Sequence, residues 1–168
     1  APRKGNCRAM KDSMTEKVDL ATELQHENAL ERQLLAVPAF RQGLCWGVPR
    51  FGHPEGQIYK HIIEVYANID RLPLDAAIRT RLRLIALVHD TFKYNEDKGR
   101  PRDWSRHHGV LARRFLEPFT DDQELLTVVE LHDEAYYAWR TIFLYQQPEQ
   151  GEERLRRLLS RLGNARQL

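Results

Sequence analysis

Apolar residues recur at helical spacing along most of this chain, and almost nowhere do they alternate with polar residues as a half-buried strand requires. That periodicity restricts the chain to an all-α fold. From Met14 to Ala36, Val18, Leu20, Ala21, Leu24, Ala29, Leu30, Leu34 and Leu35 recur amid charges, and Pro38 marks the end. The stretch from Pro38 to Gly56, with Gly43, Gly47, Pro49, Gly52, Pro54 and Gly56, reads as a loop. A helix from Gln57 to Asp70 places Ile58, Ile62, Val65, Tyr66 and Ile69 on one side. Beyond Pro73, a helix from Asp75 to Thr91 ends in Leu82–Val88, apolar nearly all round, so its last two turns are expected in the core.

Lys93 to Arg102 is a polar, basic connection. Asp103 is placed to cap a helix reaching Leu116 before Pro118. Thr120-Asp121-Asp122-Gln123 reads as a capping box opening one long helix to Tyr145. Pro148 and Gly151 are expected to break the chain before a last helix, Glu152 to Leu162, which docks through Leu155, Leu158, Leu159 and Leu162. About six to seven helices are expected in all.

A chain of 168 residues fits one domain with its own core, and residues 1–13 are set aside as a segment that can be disordered. A net charge of +2 argues against a strong polyanion partner. The C-terminal arginines 154, 156, 157, 161 and 166 make an RNA-binding face conceivable, but Glu152 and Glu153 ahead of them suit an ordinary solvated helix better. Two cysteines, Cys7 and Cys45, are too few for a disulfide framework, so a reduced cytoplasmic setting is expected, with one Cys7–Cys45 bridge as the alternative. No apolar run approaches the roughly 18 residues of a membrane span. Arg3, Lys4 and Arg8 are not followed by the apolar stretch of a secretory signal. The pattern does not specify an oligomeric state.

Placement of the histidines carries the chemistry. His61 lies mid-helix, His89-Asp90 closes the most buried helix, His107-His108 opens the next, and His132-Asp133 is expected in the middle of the long helix. Imidazole beside carboxylate in an apolar helix is costly unless its polar atoms find partners. A divalent transition metal (manganese, iron, cobalt, nickel or zinc) satisfies both at once. A lone helical histidine is usually a packing residue, and one His-Asp pair arises by chance. The combination on successive helices is what argues for a metal.

With those residues in hand, the chain resembles the HD superfamily of metal-dependent phosphohydrolases over Gly52 to Tyr145. The most specific element is Leu84-Ile85-Ala86-Leu87-Val88-His89-Asp90-Thr91-Phe92-Lys93, an apolar run closed by His-Asp with a lysine three residues on. The resemblance implies an HD-type helical bundle and assigns His61, His89, Asp90 and Asp133 as metal ligands. Some members hold a second metal through further histidines. His107 resembles such a ligand because Ala112 and Phe115-Leu116 follow it; His108 is the alternative, and His132 is the other extra candidate. Those members carry a further aspartate on a later helix, and none follows Asp133 here, so one ion per chain is preferred over two.

The expected activity is hydrolysis of a phosphate ester, in a nucleotide or another small phosphorylated metabolite. Lys93 is the first choice for a phosphate contact and Arg100 another, with a solvated basic loop as the plain alternative for the arginines. His107 is a candidate acid or base. Arg50 and His53, in the loop before the first ligand helix, are candidate substrate contacts. Glu64, Glu96 and Asp97 are taken as solvated, and Trp46, Trp104, Trp139, Tyr136 and Tyr137 as core or pocket wall. Two rivals stand beside the hydrolase: an RNA- or nucleotide-binding module without turnover, and a di-iron oxygenase.

Overall fold

In a computed structural model, residues 18–163 are described, and all their regular structure is helical apart from one isolated bridge between Arg50 and His53. Expectations for Cys7, the charged N-terminus, the start of the first helix at Met14 and Arg166 lie outside the described residues. The helices are α1 (Leu20–Leu24), α2 (Ala29–Ala36), α3 (Pro38–Leu44), α4 (Ile58–Ile69), α5 (Ala76–Val88), α6 (His108–Leu116), α7 (Gln123–Leu131), α8 (Glu134–Phe143) and α9 (Pro148–Leu162). Short 3-10 turns run over Lys93–Asn95, Trp104–Arg106 and Glu117–Phe119.

The first expected helix is divided. Gln25 adopts a left-handed conformation at φ 45° and ends α1. Asn28 then caps α2 by accepting the Glu31 amide at 2.9 Å. The expected loop after Pro38 is also corrected, because its first part is α3. Pro38 occupies the first turn, where its missing N–H costs nothing. Gly43 does not break the chain. A Cβ there would stand 2.0 Å from the Thr91 carbonyl, so glycine lets α3 lie against the segment that follows Asp90. Phe40 of α3 is fully buried and stacks on Phe115 at 5.1 Å, and Tyr94 Oη donates to the Ala39 carbonyl.

The core follows the periodicity. Ile58, Ile62, Tyr66 and Ile69 of α4 are buried, and so is every residue from Leu84 to Val88 of α5. Leu116 of α6 and Leu125, Leu126 and Val129 of α7 join the same cluster. The cap before α7 is Asp122, which accepts the Leu125 amide, while Thr120 Oγ1 accepts the Asp122 amide, so the box expected at Thr120 is displaced by two residues. The expected long helix is split at His132-Asp133 into α7 and α8.

Helix α9 starts four residues earlier than expected, at Pro148, and Gly151 lies buried inside it. A Cβ at Gly151 would sit 2.3 Å from Ile142 Cγ1 and 2.9 Å from the Ala138 carbonyl, so this glycine sets the close approach of α9 to α8. The leucine stripe contributes less than expected: Leu158 is buried, whereas Leu155 and Leu159 are 38% and 39% exposed. Overpacking by Gly151→Val is expected to cost about 1–3 kcal/mol, read as a lowered denaturation midpoint. An unchanged midpoint would show that α9 can stand away from α8 without penalty.

Candidate metal centre

The ends of two helices present the same local device. At the end of α5, His89 Nδ1 lies 2.8 Å from the Ala86 carbonyl. At the end of α7, His132 Nδ1 lies 2.9 Å from the Val129 carbonyl. Carbonyls in the last turn of a helix lack intrahelical partners and accept what is near. Each histidine therefore carries its proton on Nδ1 and turns a bare Nε2 lone pair away from its own helix. Asp90 and Asp133, one residue further on, leave the helical path in the turn that follows.

These atoms converge. His132 Nε2 is 3.4 Å from Asp90 Oδ1 and 3.5 Å from Asp133 Oδ1. His108 Nε2 is 3.4 Å from Asp90 Oδ1, 3.2 Å from Asp133 Oδ2 and 3.1 Å from His132 Nε2. His89 Nε2 faces the other Asp90 oxygen at 3.5 Å, and His61 groups with His89 and Asp90 within ligand range. The rings of His89 and His132 meet edge to face at 5.0 Å. Asp90 is the hub: its side chain is 8% exposed, and its buried Oδ1 lies 3.4 Å from both His108 Nε2 and His132 Nε2.

Imidazole nitrogens and carboxylate oxygens thus stand within ligand range of one another, an arrangement that could hold a metal ion. Metal–ligand bonds of about 2.1 Å place neighbouring donors about 3.0–3.4 Å apart. The separations around Asp90 Oδ1, 3.1 to 3.4 Å, fit that spacing. The donor set of imidazole and carboxylate suits a divalent transition metal.

Local charge keeps the ligands in their binding forms. Burial, opposed by Asp90 and reinforced by His132, pushes His89 down to about 4, so it is neutral near physiological pH. Burial opposes ionisation of Asp90 and Asp133, but hydrogen bonding to His108, with His132 alongside, holds both below the usual carboxylate range. Burial disfavours a charged His108, and the carboxylates of Asp133 and Asp90 outweigh it and raise its pKa. Protons compete with any bound cation for His108, so metal uptake is expected to weaken as pH falls.

His107 and His108 have different roles. His107 caps α6, its Nδ1 accepting the Gly109 amide at 3.1 Å. A neutral His107 then carries its proton on Nε2, which points at Tyr137 Oη 3.2 Å away. Tyr137 in turn donates to Asp133 Oδ2 at 3.3 Å. His107 therefore orients Asp133 through Tyr137, and its protonated nitrogen is the wrong one for a ligand. His108, the alternative in the sequence, turns Nε2 into the centre. Burial, with His108 adjoining, pushes His107 down to about 4.

The remaining candidates are spread around this centre. Lys93 Nζ is 2.5 Å from Asp90 Oδ2, so its charge is engaged on the hub carboxylate. Arg100 is exposed on the connection before α6. Arg50 and His53 bridge each other in an exposed turn, and His53 pairs with Glu55 at 3.1 Å. Within this turn a backbone hydrogen bond, with His53 alongside, holds the Glu55 carboxyl below its usual value. Glu64 is exposed, as expected, and Asp97 is half-buried beside the Arg106 guanidinium.

Two groups were missed. Glu96, taken as solvated, is 4% exposed in its side chain and pairs with His108, His107 and Arg102. Tyr137 was taken as a wall and is instead the link between His107 and Asp133. Tyr136 and Trp139 are 53% and 47% exposed, so they are not core. Of the C-terminal arginines, Arg154 is held by Glu134, Arg156 and Arg157 by Glu153, and Arg161 by Glu130. Among the described residues no helix is long and apolar enough to cross a membrane.

Comparison with protein-family models, curated proteins and solved structures finds no match to this chain. The functional reading therefore rests on the residues.

Proposed function

We propose that this protein is a metal-dependent phosphohydrolase acting on the phosphate ester of a nucleotide or another small phosphorylated metabolite. The observation that carries the proposal is the convergence of His108 Nε2 and His132 Nε2 on the carboxylates of Asp90 and Asp133, with His61 and His89 grouped on the same Asp90. Resemblance of the His89-Asp90 segment to the HD superfamily supplies the reaction class.

His61, His89, Asp90, His108, His132 and Asp133 make six donors. Six protein ligands would saturate one octahedral ion, whereas catalytic metals keep an open position. The groups His61-His89-Asp90 and Asp90-His108-His132 would each be able to hold an ion, so the donors present would accommodate a second ion beside the single one expected from sequence. When bound, such ions lower the pKa of water and polarise a phosphoryl oxygen.

The chain's own residues then do three things. Asp133, the most exposed carboxylate of the centre at 24%, marks the side open to substrate. The chain from His107 Nε2–H through Tyr137 Oη–H to Asp133 Oδ2 fixes the orientation of that carboxylate. Lys93, on the hub carboxylate, is the nearest cation to place against a phosphate once ions replace it on Asp90.

Elemental analysis of the purified chain, with phosphate release from a nucleotide panel in manganese, cobalt or nickel, tests this reading. Bound metal and metal-dependent release are expected. Imidazole-rich donors shared by a carboxylate also suit iron, so the di-iron oxygenase is the rival; iron content with dioxygen consumption and no phosphate release would replace the hydrolase. A chain that binds no ion and turns over nothing would leave a binding module.

A further inference from the structure

We infer that Glu96 is the positioning carboxylate of the metal centre, holding His108 in its ligand tautomer and strengthening it as a donor. The inference rests on the proposed metal centre and is independent of whether that centre hydrolyses phosphate.

The need for such a group follows from where the three inward-facing imidazoles stand on their helices. His89 and His132 close helices, where unpaired carbonyls take the Nδ1 proton. His108 opens α6, and a helix N-terminus offers amide donors and no carbonyl. Its Nδ1 is buried and has no hydrogen-bond partner among the described residues within ordinary geometry. Glu96 Oε2 is the acceptor that faces it, 3.4 Å away, an ion-pair separation.

Glu96 is built for this position. Its side chain is 4% exposed, so its charge needs partners. Oε1 is bonded by Arg102, and His107 Nε2 lies 3.8 Å from the same oxygen. Arg102 is itself fixed, its guanidinium 4.6 Å from the Trp104 ring centre. The connection between α5 and α6 thus brings an anchored carboxylate behind a central histidine that opens its helix and has no carbonyl of its own. A carboxylate on the far nitrogen of a ligand imidazole fixes the tautomer and ring orientation and raises donor strength. Glu96, His107 and His108 also cluster closely enough to suggest a metal site of their own. The protonated Nε2 of His107 argues for the positioning role instead.

Cobalt titration of the metal-free full chain, followed by calorimetry and by the visible absorption of Co(II), tests the inference. Glu96→Ala is expected to weaken cobalt binding about 10- to 100-fold. Glu96→Gln keeps an acceptor for Nδ1 and removes the charge, so a smaller loss is expected, with partial recovery of the wild-type spectrum. Asp97→Asn, on the neighbouring half-buried side chain that faces Arg106, should bind cobalt as the wild type does. Wild-type affinity in both Glu96 variants overturns the inference, and so does an equal loss in Asp97→Asn, which would make the effect a general disturbance of the connection. Should Glu96→Ala not fold, Glu96→Gln decides alone: a loss supports the role and wild-type affinity overturns it. A wild-type chain that takes up no cobalt overturns the metal centre itself, and the inference with it. Bound cobalt without phosphate release leaves the inference standing and removes only the hydrolase.

Discussion

Asp90→Ala is expected to leave a folded helical protein that holds no metal and has lost at least about 1,000-fold in phosphate release, since a catalytic ion contributes several kcal/mol. Among the described residues Asp90 is the only carboxylate with one oxygen toward His108 and His132 and the other toward His89. Removing it takes a ligand from both donor groups at once, which no other single substitution does. The fold should survive, because Leu84 to Val88 bury α5 independently of the residue after it. Circular dichroism checks the helix content and elemental analysis the ion. Full metal content in the variant would show that Asp90 is not a ligand. A variant without metal that still releases phosphate would remove the metal from the reaction.

Glu31→Ala should produce the largest loss of stability among single substitutions of polar residues. Glu31 of α2 is 1% exposed and Arg83 of α5 is 3% exposed. Glu31 receives Arg83 Nε at 3.1 Å and Nη2 at 3.2 Å, and the Glu27 amide at 2.7 Å. Arg83 also lies over the Tyr66 ring at 3.8 Å and donates to the Gln25 carbonyl. Cutting this pair from one side leaves a buried guanidinium with too few acceptors, at a cost of about 3–5 kcal/mol. The partners that Arg83 keeps, Gln25 and Glu27 among them, set the expectation at about 3 kcal/mol. For a chain of this size that is a fall of about 6–12 °C in Tm. Replacing both partners, Glu31→Leu with Arg83→Met, should recover most of it, because the charge goes with its partner. A single variant as stable as the wild type would mean that water reaches Arg83.

Much of the candidate centre was legible before any tertiary structure. His61, His89, Asp90, His132 and Asp133 stand out because each sits on or at the end of an apolar helix where an unpaired polar group is costly. The choice between His107 and His108 was not legible. Adjacent residues point about 100° apart on a helix, so one residue of error in where α6 begins exchanges the two faces. Asp103 resembled the cap and in fact caps the 3-10 turn before α6, while His107 caps α6 itself. Glu96 carried no signal, since a glutamate in a polar, basic connection usually faces water. Its burial depends on Arg102, Trp104 and α6 meeting in space.

By itself the sequence determined the helical class, the buried end of α5 and most of the side chains that meet around Asp90. Periodicity and residue chemistry are local properties, and they act wherever the chain goes. Tertiary structure decided the helix break that the sequence did not mark. Nothing local forbids a helix through His132-Asp133, yet the chain turns there and sets Asp133 against His108. Gly43 and Gly151 resemble breaks in the sequence and prove to be points of close approach, because what a missing Cβ permits depends on which backbone lies opposite. The same holds for the tautomers: the carbonyl ends of α5 and α7 orient His89 and His132, and His108, at an amide end, takes its acceptor from a distant connection.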